Sequence, residues 1–130
     1  MKRTEKFVKW FQATQIGGDI APQSNKSRFK LDGKHALKLI ADALGLGKEK
    51  YDLRFNAGGS AVSGEVTLHT DYLYIQISQN WQGHEILARY CEGRKDYYGG
   101  ANNFFGIDSL VNGKLLTWAE QTKLRYIETI

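Results

Sequence analysis

A chain of 130 residues, with 42% hydrophobic and 25% charged side chains, lies outside the composition of disordered proteins and is long enough for one domain over residues 1–130 with its own core. The single cysteine, Cys91, excludes an intramolecular disulfide, and His35, His69 and His84 lack zinc-ligand spacing, so no metal or other cofactor is expected. Residues 1–50 carry 11 Lys and Arg against 5 Asp and Glu, whereas residues 51–130 carry 7 against 9, which directs any acidic or polyanionic partner to the N-terminal half.

In chain order, "RTEKFVKWFQAT" places Phe7, Trp10 and Phe11 at i, i+3 and i+4, the stripe of a short amphipathic helix with Thr4 as its N-cap. No apolar run around it reaches signal-peptide or membrane-spanning length, so a cytoplasmic protein that does not insert into membranes is expected. Residues 14–27 hold the only proline and a glycine pair and read as a long connection. "LDGKHALKLIADALGLG" predicts a helix over 33–45, capped by Asp32, burying Leu37, Ile40, Ala41 and Leu44, and stopped by Gly45 or Gly47.

From residue 50 the period changes from 3.6 to 2. Tyr51, Leu53 and Phe55 alternate with Asp52, Arg54 and Asn56, and Val62, Val66 and Leu68 alternate with polar neighbours. Strands are predicted over about 50–56, 61–69, 72–78 and 84–91. Their connections are too short for parallel crossovers, so they run as an antiparallel meander. In the tail, Asn112-Gly113 signals a tight turn and Thr117 with Glu120 has capping-box spacing, favouring a turn and then a helix over 117–127, with one helix from 109 as the alternative. The fold class is therefore α+β, a curved antiparallel sheet of about four strands over residues 50–91, with the N-terminal helices and a C-terminal helix packed on one face.

Two surfaces stand out. The stretch "GRKDYYGGANNFFG" carries Arg94, Lys95, Asp96, Tyr97, Tyr98, Asn102 and Asn103 around a glycine pair. Glycines free the backbone to cradle an anion, but the spacing fits neither a P-loop nor a dinucleotide fingerprint. Its aromatic rings either pin the loop to the core or line a recognition surface. The second surface is the basic run Lys26, Arg28, Lys30, Lys34 and Lys38, the densest in the chain. The outward strand positions, Tyr72 and Tyr74 among them, resemble a base-stacking platform in composition.

Cys91, with His69 or His84 as base, is a weak nucleophile candidate, because buried cysteine commonly acts as a small hydrophobe. Trp81, in the turn "SQNWQGHE", would point to self-association if exposed. The reading that follows is a small non-catalytic binding or adaptor domain that recognises a protein through the 93–105 loop and the adjacent sheet face. The alternative is a nucleic-acid binder using the basic 26–38 region on phosphates and Tyr72 or Tyr74 on bases.

Overall fold

The computed structural model describes residues 2–16, 23–56, 64–96 and 99–130. Five strands form one sheet: β1 (Tyr51–Asn56), β2 (Glu65–Thr70), β3 (Leu73–Ser78), β4 (Ile86–Tyr90) and β5 (Asn103–Phe105). They lie in the order β1-β2-β3-β4-β5, each antiparallel to its neighbour. The helices are α1 (Lys2–Ile16), α2 (Gln23–Ala43), the single turn α3 (Ser109–Asn112) and α4 (Lys114–Thr129). The fold is the expected α+β meander, with one more strand than the sequence indicated.

One face of the sheet is apolar, with Val66, Leu68, Leu73, Ile75, Ile77 and Ile86 fully buried. α2 packs over β1 and β2 on this inner face, α1 contacts α2 and α3, and α4 contacts β3. Thr4, Phe7, Val8 and Phe11 are the buried positions of α1, so Thr4 is a core residue inside the helix and not its cap.

α2 begins ten residues before the predicted start, and α1 and α2 both run into the segment predicted as a 14–27 connection. Only residues 17–22 of that segment belong to neither helix, and they lie outside the described residues. The reason is Phe29, which is fully buried with its ring against Phe7, Phe11 and Phe55 at centroid distances of 6.4, 5.8 and 6.1 Å. It extends the stripe of Leu37 and Ile40 backwards by two helical turns. Gly33 lies inside the helix because a Cβ there would stand 3.0 Å from Val66 Cγ2, so the glycine lets helix and sheet approach. Asp32 does not cap α2. It accepts from Arg3 of α1 at 2.9 Å and pairs with Arg28 at 3.6 Å.

The end of α2 is as expected. Gly45 takes φ +76, its amide donates to Asp42 O and the Leu46 amide donates to Ala41 O, each at 3.0 Å, which is the Schellman pattern. At the tail, Gly113 takes φ +84 between α3 and α4 and breaks what would otherwise be one helix. α4 therefore starts at Lys114, three residues before the predicted boundary, with Asn112 Oδ1 accepting from the Lys114 amide.

Candidate functional site

The antiparallel register sets the residues of the outer face in rows. One row is Asp52, His69, Tyr74 and Arg89; the next is Arg54, Thr67, Gln76, Leu87 and Phe104. No described helix packs on this side. Even so, Thr67, His69 and Tyr74 are buried, because long side chains lie flat across the sheet. The His69 ring meets Tyr74 edge-on at 5.2 Å, the Arg89 guanidinium lies 4.7 Å above the Tyr74 ring, and Tyr74 OH donates to Gln76 Oε1 at 2.9 Å. His69 Nε2 is 3.0 Å from the Gly93 carbonyl. A carbonyl only accepts, so this nitrogen carries the proton. Burial lowers the His69 pKa further than the Gly93 bond and the Asp52 charge raise it, which keeps the ring neutral near pH 7. Beside this row, a polar hollow of about 290 Å³ is lined by charges of both signs, among them Asp52, Arg54 and Glu65.

Most of the 93–105 stretch is turned on itself. The Asp96 carboxylate accepts from the amides of Glu92 at 3.0 Å and Gly99 at 2.8 Å, and the Asp96 amide donates to Gly93 O. Arg94 reaches back to donate to Glu49 O at 2.7 Å and pairs with Asp71 at 3.4 Å and Asp52 at 3.8 Å. Asn103 Nδ2 donates to Ala88 O and Ala101 O. Arg94, Asp96 and Asn103 therefore hold the loop in shape. Lys95 and Asn102 are exposed, Lys95 on the rim of a hollow of about 660 Å³, and Tyr97 and Tyr98 lie outside the described residues.

The phenylalanine pair divides between the two roles the sequence left open. Phe105 turns inward to meet Trp118 at 6.2 Å, while Phe104, 47% exposed, stands on the outer face with its ring 5.1 Å from His84. His84 closes the β3–β4 turn through its amide, which donates to Trp81 O at 2.8 Å, and Trp81 itself is 80% exposed. Against this turn lies the largest described hollow, about 740 Å³, lined by Gln12, Asn80, Glu85 and Asp108 among others. Glu85 is buried and accepts from the amides of Gly83 and Ile107, each at 3.1 Å, which ties the turn to the start of α3. Alternation in "NFFG" carried a signal for Phe104 and Phe105 facing opposite ways, but β5 is too short to stand out as a strand. Nothing in the sequence placed Trp81 near Phe104.

The residues of the nucleic-acid alternative are not brought together. Lys26, Arg28, Lys30, Lys34 and Lys38 ride on α2, over the inner face of the sheet, whereas Tyr74 lies on the outer face. Arg28 is occupied by Asp32 and the Trp10 ring, and Lys38 by Asp42 at 2.8 Å. Tyr72 turns away from the outer face and stacks on Tyr126 of α4 at 5.0 Å, where burial pushes its hydroxyl up to about 12. Cys91 is fully buried, its thiol is 3.4 Å from Thr70 O, and desolvation raises it to about 11. That is the opposite of an activated nucleophile.

Among the described residues, no group of three His, Cys, Asp or Glu side chains could share a metal ion, and no helix is long and apolar enough to cross a membrane. No family model, curated protein or solved structure matches this chain.

Proposed function

We propose that this chain is a non-catalytic protein-recognition domain that binds its partner through the outer sheet face, centred on the end where Trp81 and Phe104 stand. One observation carries the reading: two large aromatic side chains, 80% and 47% exposed, are linked through the Trp81–His84 turn at the rim of an uncovered sheet. Exposed aromatics beside a hollow are the usual anchors of a protein interface, and a polar surround supplies its rim. Leu87 continues the apolar strip between Gln76 and Phe104, and the mixed charges of Asp52, Arg54 and Glu65 favour a surface of mixed sign over a polyanion. The 93–96 loop borders this face without being its centre, since its polar groups serve its own backbone.

The test is affinity capture from the source cells with the wild-type chain, the Trp81→Ala/Phe104→Ala variant and a Lys30→Glu/Lys34→Glu control, with thermal melts on each. Partners lost only from the aromatic variant, at unchanged Tm, support the reading. Partners retained by that variant refute it. Sedimentation of the wild type shows whether the partner is a second copy, which is the outcome an exposed Trp81 suggested from the sequence.

A further inference from the structure

The sheet order ends at β1, and no described strand pairs with its outer edge. Leu53 and Phe55 belong to the inner, apolar face, yet both remain partly exposed, while Val66 and Leu68 opposite them are fully buried. The inner layer is therefore incomplete along this edge.

α2 runs beside it. Phe29 meets Phe55 near the end of β1, and Lys38 lies within electrostatic reach of Tyr51 at its start, so helix and strand run antiparallel. Asp32 faces α1 through Arg3, and Lys34 lies about 160° around the helix from Asp32 at 100° per residue. Lys30, Lys34 and Lys38 therefore form a row on the flank of α2 away from α1, beside the open edge. Lys38 is paired with Asp42, but Lys30 and Lys34 have no acidic partner among the described residues.

We infer that the open edge of β1 accepts an extended acidic segment of another protein as an added strand, with alternate carboxylates seated on the Lys30, Lys34 and Lys38 row. The spacing supports this occupant. Lysines four apart on a helix repeat at about 6 Å, and side chains on one face of a strand repeat at about 6.8 Å, so successive lysines meet every second residue of the incoming strand. Backbone bonds to the edge provide affinity and the side-chain row provides selectivity. A second copy paired β1 to β1 would set two such lysine rows side by side, and that repulsion disfavours it. The inference concerns a surface separate from the one in the proposed function and holds or fails independently of it.

The probe is a labelled nine-residue peptide alternating Val and Glu, titrated by fluorescence anisotropy at low and moderate salt, with amide chemical shifts as the site readout. Expected are shifts along residues 51–56, an affinity that falls as salt rises, and a loss of about tenfold or more in Lys30→Glu/Lys34→Glu. Lys2→Glu/Lys6→Glu, the same charge change on α1, should bind as the wild type does. Equal binding of a block-ordered Val and Glu peptide, or of one N-methylated at alternate positions, would overturn strand addition. Tighter binding of a single-stranded DNA of equal charge at the same residues would overturn the choice of a peptide, as would a wild-type dimer whose interface maps to 51–56.

Discussion

Phe29 decides whether residues 23–32 are helix or connection, and Phe29→Ala tests that directly. The ring is fully buried between Phe7, Phe11 and Phe55. Removing it forfeits about 1.5–3 kcal/mol of transfer free energy, and three ring contacts and the residual cavity bring the loss to about 3–5 kcal/mol. For a chain of this length that corresponds to a fall in Tm of roughly 10–20 °C. Leu31→Ala, two residues on and 60% exposed, should stay within about 0.5 kcal/mol of wild type. Urea denaturation of both variants, with hydrogen exchange on residues 23–32, reads the difference. A Phe29→Ala loss under about 1 kcal/mol with unprotected amides over that span would refute the packing argument, and with it the position of the lysine row.

Two further predictions concern backbone and thiol. Gly100 takes φ +77 and a Cβ there would stand 2.5 Å from Tyr90 O, whereas Gly113, at φ +84, has open space around it. Both alanine variants incur about 1–2 kcal/mol of left-handed strain, but Gly100→Ala should lose at least about 1 kcal/mol more in chemical denaturation, and equal losses would show that the 99–103 segment does not pack as described. For Cys91, the folded thiol is raised from 9.0 to about 11, so its stabilisation is complete below pH 9 and is lost as pH rises from 9 to 11. Between pH 8 and 10.5 the wild type should lose about 2 kcal/mol from this group alone, and Cys91→Ala should lose correspondingly less; identical pH profiles would refute a buried thiol.

The parts legible in the sequence were those whose pattern is local. β1 to β4 carried period-2 alternation against a covered face, and the end of α2 carried Gly45. What escaped depended on contacts distant in the chain. "KSRFK" looks like strand alternation, because Lys26, Arg28 and Lys30 fall on every second position, and only the rings of Phe7 and Phe55 show that Phe29 belongs to a helical stripe. Tyr72 shares parity with Tyr74, yet the turn that Thr70 Oγ1 holds by accepting from the Tyr72 and Leu73 amides sends its ring to Tyr126. Asp32 looked like a cap because helix-start chemistry and an ion pair to another helix use the same residue types. At the candidate site, charge and aromaticity were visible, but side could not be assigned.

Side separates the two binding surfaces. The stretch 93–106 connects β4 to β5, and its Asp96, Arg94 and glycines are engaged in making that connection rigid, so recognition shifts to what it delivers: Phe104 on the outer face. That face mixes Asp52, Arg54, Glu65 and Arg89, whose fields largely cancel at a distance, whereas Lys30 and Lys34 beside β1 share one sign and stand without carboxylate partners among the described residues. Binding at the aromatic end then draws on apolar burial and responds little to ionic strength, while binding along β1 draws on uncompensated charge and weakens as the screening length contracts from about 30 Å at 0.01 M to about 8 Å at 0.15 M. A salt series on any captured partner therefore assigns it to one side of the sheet before a mutation is made.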